Sequence, residues 1–141
     1  MKKPDYYYKQ SAVVPFRVVN KKVEILLITS RKKKRWIIPK GIIETELTAQ
    51  ESALKEAIEE AGVSGKVLQE LFGKFEYKKW GDTCRVKVYI MEVKQVMDKW
   101  AEDFRDRKWV RVKEAIKEID NAELKSMLEV LEDKLESLGY I

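Results

Sequence analysis

The stretch GIIETELTAQESALKEAIEEAGV, Gly41 to Val63, carries a helix and a question of chemistry. Thr48 followed by Glu51 spells a capping box, in which hydroxyl and carboxylate satisfy backbone donors at a helix start. Gly62 supplies the stop, since a residue without Cβ enters the left-handed closing conformation with least strain. Between them Ala53, Leu54, Ala57, Ile58 and Ala61 recur at helical spacing, which predicts a face buried against a sheet. Ser52, Lys55, Glu56, Glu59 and Glu60 fall on the opposite face. Glu56, Glu59 and Glu60 stand at i, i+3 and i+4, so their carboxylates are expected to leave the helix together. An exposed helix tolerates such neighbours at about 0.2–0.5 kcal/mol per pair. The three are therefore either a solvated exterior or a site for Mg²⁺, which favours carboxylate oxygens, waters and phosphates.

Working outward, Gln10 to Val19 and Val23 to Ser30 are rich in Val and Ile and flank Asn20-Lys21-Lys22, which reads as an antiparallel hairpin. In WIIPKG, Pro39 and Gly41 break regular structure and open a loop to about Leu47. Beyond Gly62, Lys66 to Tyr77 and Arg85 to Val93 read as strands around a turn at Trp80-Gly81-Asp82, and Lys108 to Val112 as a short one. Leu124, Met127, Leu128, Leu131, Leu135 and Leu138 then mark a helix that covers the core. The order is strands, helix, strands, helix. No repeat or Gly/Ser linker interrupts it, so residues 1–141 are expected to form one domain.

Composition narrows the chemistry. Hydrophobic residues make up 45% and charged residues 38%, a balance that supports a packed core under a charged surface. Cys84 is the only cysteine and histidine is absent, which excludes intramolecular disulfides, Cys/His zinc sites and imidazole catalysis. Carboxylates, lysines and water must do any work. The net charge of +5 points to an anionic ligand. No apolar window is long enough to span a membrane and no apolar run follows the Met-Lys-Lys start, so a cytoplasmic location is expected. The run RKKKR, Arg31 to Arg35, reads as a solvated turn, a nucleic-acid contact or a cationic rim; no RNA-binding motif accompanies it. GVSGKV, Gly62 to Val67, is no phosphate loop, because its glycines are too close and Val67 replaces the required hydroxyl.

The stretch from Gly41 to Val63, preceded by RWIIPK, closely resembles the signature of the Nudix hydrolase family. In that signature a glycine is followed after five residues by a glutamate, and after seven more by REUXEEXGU, with U aliphatic. Gly41, Glu56, Glu59, Glu60, Gly62 and Val63 fall on their positions. Leu47 stands for the first glutamate, Lys55 for the arginine, and small Ala57 for a larger aliphatic residue. PFRVV, RWIIPKG, EEAGVSGKV, GKFEY, KQVMDKW and RDRKWVRVKEAIKEI extend the likeness toward the branch of diphosphoinositol polyphosphate and diadenosine polyphosphate phosphohydrolases, from about Gln10 to Ile119.

The resemblance implies an α/β/α Nudix fold, a mixed β-sheet sandwiched between helices. It also implies a hydrolase that cleaves a phosphoanhydride bond in a diadenosine polyphosphate-like nucleoside polyphosphate, or a related polyphosphorylated molecule, by Mg²⁺-dependent attack of water on phosphorus. Mn²⁺ would be a substitute, and the protein would act as a monomer or homodimer. Glu56, Glu59 and Glu60 would be the catalytic set and hold one to three metals, with the Gly41 carbonyl as a further ligand. Arg17, Arg35 and Lys40 would bind substrate phosphates. The general base is either a glutamate of the helix or an acid on a later loop, for which Glu102 and Asp103 are candidates and Glu44 a third. Tyr6, Tyr7 and Tyr8 would pack on an edge strand or stack a base. The departures at Leu47 and Lys55 keep a second reading open, a Nudix-fold module that binds nucleotide or inositol phosphate without turning it over.

Overall fold

Asn20 and Lys21 both take positive φ, 51° and 65°, in the two-residue turn that joins β1 (Lys9–Val19) to β2 (Lys22–Thr29). Left-handed residues at both positions match the twist of a tight hairpin, and the antiparallel register from Phe16↔Ile25 to Val19↔Lys22 follows. The computed structural model describes all 141 residues. Beyond Phe16 the two strands part, and the segment after the basic run pairs with each in turn. β3 (Trp36–Ile37) joins β2, the Pro39 carbonyl accepts from Val13 N–H (3.2 Å), and β4 (Lys40–Ile42) joins β1. The expected loop from Pro39 to Leu47 is thus partly strand, and it lays Gly41 directly opposite Ser11.

Further strands are β5 (Val63–Val67), β6 (Gly73–Lys79), β7 (Asp82–Val96) and β8 (Arg107–Arg111). β1 and β7 run parallel through the centre, from Lys9↔Arg85 to Phe16↔Glu92, whereas every other pairing is antiparallel. The sheet is mixed, as expected. Lys66 to Tyr77 is not one strand, however, because the chain leaves the sheet after Val67 and returns at Gly73. Trp80 and Gly81, again with positive φ, turn β6 into β7.

Alternation along β1 divides two cores. Val13 faces Ala53, Ala57 and Ala61 on one side of the sheet, and Ala12, Val14 and Phe16 face Leu124, Met127, Leu128, Leu131 and Leu135 on the other. The second layer holds three helices, α2 (Val112–Glu118), α3 (Ala122–Glu129) and α4 (Leu131–Ser137), and the helix expected over Leu124 to Leu138 is split into α3 and α4. Val130 interrupts the stripe with non-helical backbone, and Leu138 at its end is exposed. No helix is long and apolar enough to cross a membrane.

The helix of the opening stretch, α1 (Ala49–Glu56), continues as a π turn (Ala57–Ala61). Both bonds of the capping box form, Glu51 N–H to Thr48 Oγ1 at 3.0 Å and Thr48 N–H to Glu51 Oε1 at 2.8 Å. Its buried stripe is Ala53, Ala57 and Ala61, all fully buried, and these small side chains let the helix lie close on the sheet. That accounts for Ala57 where the resemblance expects a larger residue. Leu54 is only half-buried and Ile58 is exposed, against expectation. Ser52 and Glu60, expected on the solvent face, are buried. Ser52 Oγ accepts from Glu44 N–H (3.0 Å) and Ser11 Oγ donates to the Ala49 carbonyl (2.7 Å), which tie the loop and the helix start to the sheet.

Gly62 ends the helix at φ 65°, and a Cβ there would lie 2.7 Å from both Trp100 and Arg107. Gly62→Ala combines left-handed strain with overlap, so it is expected to destabilise the protein by roughly 2–3 kcal/mol. Thr48→Ala removes a cap and should cost about 1 kcal/mol. Urea unfolding that ranked the two in the opposite order would refute this account of the helix ends.

Candidate active site

The carbonyls at the end of α1 decide where the later loop sits. Trp100 Nε1–H donates to the Glu60 carbonyl (3.0 Å), Glu102 N–H to that of Glu59 (2.9 Å), and Arg107 Nη1 to that of Ala61 (2.9 Å). Arg107 also stacks on the Trp100 ring, 3.9 Å from its centroid. Groups that a helix terminus leaves unsatisfied thereby draw in the loop from Met97 to Arg107. A cation at this end also suits the helix dipole.

That loop, the β3–β4 segment and the acidic face of α1 enclose a cleft of about 760 Å³. Eight of its lining residues are lysine or arginine (Arg31, Lys32, Lys34, Arg35, Lys40, Lys55, Lys79, Arg105) against four glutamates (Glu44, Glu56, Glu60, Glu102). The cleft is therefore net cationic with an acidic wall, a distribution that draws in a polyanion and leaves hard oxygens for a cation. Most of the basic run faces it; Lys33 instead pairs with Asp106 (3.6 Å).

Glu56 and Glu60 face the cleft. Glu59 does not line it and sits beside Lys55, 3.4 Å away, so the three carboxylates are not gathered as the spacing suggests. The π turn explains the difference. With i→i+5 bonding there are more residues per turn, so i+4 stays nearly in line with i while i+3 falls further aside. No three acidic side chains converge into a ready-made cluster.

Burial and the neighbouring Glu60 and Glu59 push the Glu56 carboxyl up to about 8. Burial also raises Glu60, opposed by the Arg105 guanidinium and by the Lys40 N–H that donates to Glu60 Oε1 (3.2 Å). A Cβ on Gly41 would overlap the Glu56 carboxyl group where it now lies, so a larger residue would turn that side chain aside. A divalent cation fits these donors. Glu56 and Glu60 are crowded and half-dehydrated, and no cation pairs with Glu56, so a bound cation would offset their charge.

Lys40 lies in the cleft with its Nζ 4.6 Å from the Tyr77 ring centroid, and burial lowers its pKa against the pull of Glu60. Arg35 lines the cleft beside it. Arg17 does not join them. It bonds Glu24 across the hairpin (2.7 Å) and stacks on Trp109, outside the cleft. Glu102 lines the cleft and is bonded by Arg105 (2.8 Å), whereas Asp103 is exposed outside it. Glu44 reaches the rim and pairs with Lys55 (2.9 Å). Tyr6, Tyr7 and Tyr8 form a 3₁₀ turn (Asp5–Tyr8) and not part of a strand; Tyr8 donates to the Trp80 carbonyl (2.7 Å).

Arg105 is the residue that sequence reasoning missed. It is buried, donates to the Thr29 carbonyl (2.9 Å) and lies 3.9 Å from Glu60. Its one sequence signal is the alternation Arg105-Asp106-Arg107, which turns two arginines inward from one loop.

Comparison with known proteins agrees with this fold. A sequence model of the NUDIX domain matches residues 8–131. Nudix hydrolase 21, chloroplastic, of Arabidopsis thaliana is 38% identical over 130 residues, 87% of this chain and 65% of the relative, so the chain spans just under two-thirds of that protein. Diphosphoinositol polyphosphate phosphohydrolase 3-beta of Bos taurus is 35% identical over 117 residues, 81% of this chain and 70% of the relative. The structure of a C. elegans Ap4A hydrolase superposes with a TM-score of 0.80 at 24% identity, covering 92% of this chain and 98% of that one, which supports the fold. By the matching family model and these relatives, the chain belongs to the Nudix hydrolase family.

Proposed function

We propose that residues 1–141 form one catalytic unit that hydrolyses a phosphoanhydride bond in a nucleoside polyphosphate, diadenosine polyphosphate-like, through Mg²⁺-dependent attack of water on phosphorus. Mn²⁺ serves as a substitute. The observation that carries this reading is the pair Glu56 and Glu60, packed against Gly41 and facing a cleft lined by eight basic side chains. Glu56 and Glu60, with the Gly41 carbonyl, would hold the metal, while Glu59 stays paired with Lys55 outside the cleft. When bound it supplies charge neutralisation at the phosphate oxygens and a more acidic water.

The chain's own groups supply placement. Arg35 and Lys40 hold the phosphate chain against the acidic wall, and the outer lysines and arginines concentrate a polyanion at the mouth. Arg105 fixes Glu102 beside Glu60, which makes Glu102 the loop carboxylate best placed to accept a proton from water. Lys55 bonds both Glu44 and Glu59, so the substitution of lysine for arginine leaves the loop anchored to the helix, and this favours an active enzyme over a binding module. A single buried thiol suits a reducing compartment, and the reading keeps the chain in the cytoplasm.

Glu60→Gln keeps the shape of the side chain and removes its charge. It is expected to lower Mg²⁺-dependent turnover of diadenosine tetraphosphate by about 10²-fold or more while unfolding stays cooperative. Products identified by mass check the cleaved bond. Turnover equal to the wild type would sink the assignment.

Metal-free stability should report on Glu56. Its folded carboxyl binds a proton up to about pH 8, but the unfolded one only to its ordinary value of 4.5. Between those values the native state holds the extra proton, so stability falls as pH rises. Melting of wild type against Glu56→Gln should show the wild type losing ground from pH 5 to 8, with added Mg²⁺ recovering it most at pH 8. Parallel melting curves would refute the buried-carboxylate account.

A further inference from the structure

Lys79 and Trp80 line the cleft where β6 turns into β7, and rings from the N-terminal 3₁₀ turn extend this wall outward. The Tyr7 and Trp80 rings meet edge to face with centroids 5.3 Å apart, and Tyr6 follows at 4.9 Å from Tyr7. Tyr6 is 55% exposed and the other two are half-buried, so the three form an aromatic surface open to solvent. Two cations accompany it. Lys79 Nζ lies 4.5 Å from the Trp80 ring centroid and Lys3 Nζ 5.7 Å from that of Tyr7. Asp82, in the same turn, is paired with Lys2 (3.2 Å).

This surface is fastened to the cleft wall. Tyr8 Oη donates to the Trp80 carbonyl (2.7 Å) and accepts from Lys3 N–H (2.8 Å). Buried Gln10 donates from Nε2 to the Tyr7 carbonyl (3.1 Å) and accepts from the hydroxyl of Tyr77, a cleft residue (2.8 Å). Gln10 also stands opposite Ile42 on β4, one residue beyond Gly41.

We propose that the surface of Tyr6, Tyr7 and Trp80 stacks the second nucleoside of a dinucleoside polyphosphate, whose phosphate chain lies in the cationic cleft and whose far base leaves it over Lys79. The assignment rests on the phosphoanhydride reading above and separates substrates with a nucleoside at both ends from those with one. Every base has a flat π-face, so such a surface accepts a base without reading its edges. The lysines suit the phosphate next to that base as well as the ring faces. Tyrosine and tryptophan have two side-chain torsions each, so ordering them costs little entropy. An inositol polyphosphate offers no flat ring and would gain from the lysines alone.

Calorimetry on the full chain with Mg²⁺ compares diadenosine tetraphosphate with adenosine 5′-tetraphosphate, both with methylene groups as bridging atoms so that neither is hydrolysed. The dinucleoside is expected to bind about tenfold more tightly. Trp80→Asn, a residue that tolerates the left-handed turn, should remove most of that ratio. Tyr6→Ala changes an exposed side chain without hydrogen bonds, so folding is retained, and it should narrow the ratio about threefold. Equal affinities in the wild type, or a ratio that both variants leave unchanged, overturns the assignment. A 5′-triphosphorylated RNA hexamer that binds more tightly than the dinucleoside also overturns it, in favour of a nucleic-acid site. Turnover of unmodified diadenosine tetraphosphate is followed in parallel. The expected ratios without turnover uphold the stacking surface and refute the catalytic reading, and turnover with equal affinities refutes the surface alone.

Discussion

Two like-charged carboxylates held together where water cannot fully hydrate them are the constraint around which this molecule is arranged. Burial raises the cost of the charged form of both Glu56 and Glu60; at Glu56 the charge and hydrogen bonding of Glu60 add to it, whereas Arg105 and the Lys40 N–H relieve Glu60. Apolar packing elsewhere has to hold them in place. It does so through a backbone that is fixed at both ends, by the Thr48 capping box at one and by Trp100, Glu102 and Arg107 on the terminal carbonyls at the other. The buried alanines bring that backbone close to the sheet, and the β4 strand carries Gly41 up against Glu56.

The division of the sheet follows the same logic. β1 and β2 are a plain hairpin at the Asn20-Lys21 turn, but they part beyond Phe16 and admit the Trp36–Ile42 segment. One edge of the central strand is thereby shared between a structural partner and a functional one. The basic run just before that segment is brought to the mouth of the cleft by the pairing of Thr29 with Trp36 and by Ser30 N–H bonding the Arg35 carbonyl (2.9 Å). Charge is focused there by ordinary strand geometry.

What the sequence made legible was local. The Thr48–Glu51 box, the Gly62 stop and the hairpin turns each depend on residues within a few positions of one another, and each is seen; the leucine stripe packs on the core as far as Leu135 but breaks at Val130. The failures came where a distant partner decides the outcome. Ser52 and Glu60 look like surface residues until Glu44 N–H and Lys40 N–H are brought to them, and Ile58 loses its place in the core because the helix widens into a π turn. Arg17 lies outside the cleft because cross-strand Glu24 stands directly opposite it and bonds its guanidinium. Arg105 was invisible for the same reason, since its partners Thr29 and Glu60 lie far away in the chain.

The cations also sort the cleft's carboxylates into different roles. Glu44 and Glu59 share Lys55, and Glu102 and Glu60 share Arg105, though the guanidinium is far closer to Glu102 at 2.8 Å than to Glu60 at 3.9 Å. Glu56 alone has no basic side chain within ion-pair distance, although it is the carboxylate pressed against Gly41. If charge compensation were the only demand on this wall, a lysine nearby would have met it, as it does for Glu59. Instead the compensated positions form a frame, and the uncompensated one points at the space between that frame and the cationic rim. On the proposed reading that space receives the metal and the phosphate together, each supplying what the other side of the cleft lacks. The changes at Leu47 and Lys55 then weigh less than they first seemed, because the ion pairs that hold the frame pass through Glu44 and Lys55 and do not involve position 47.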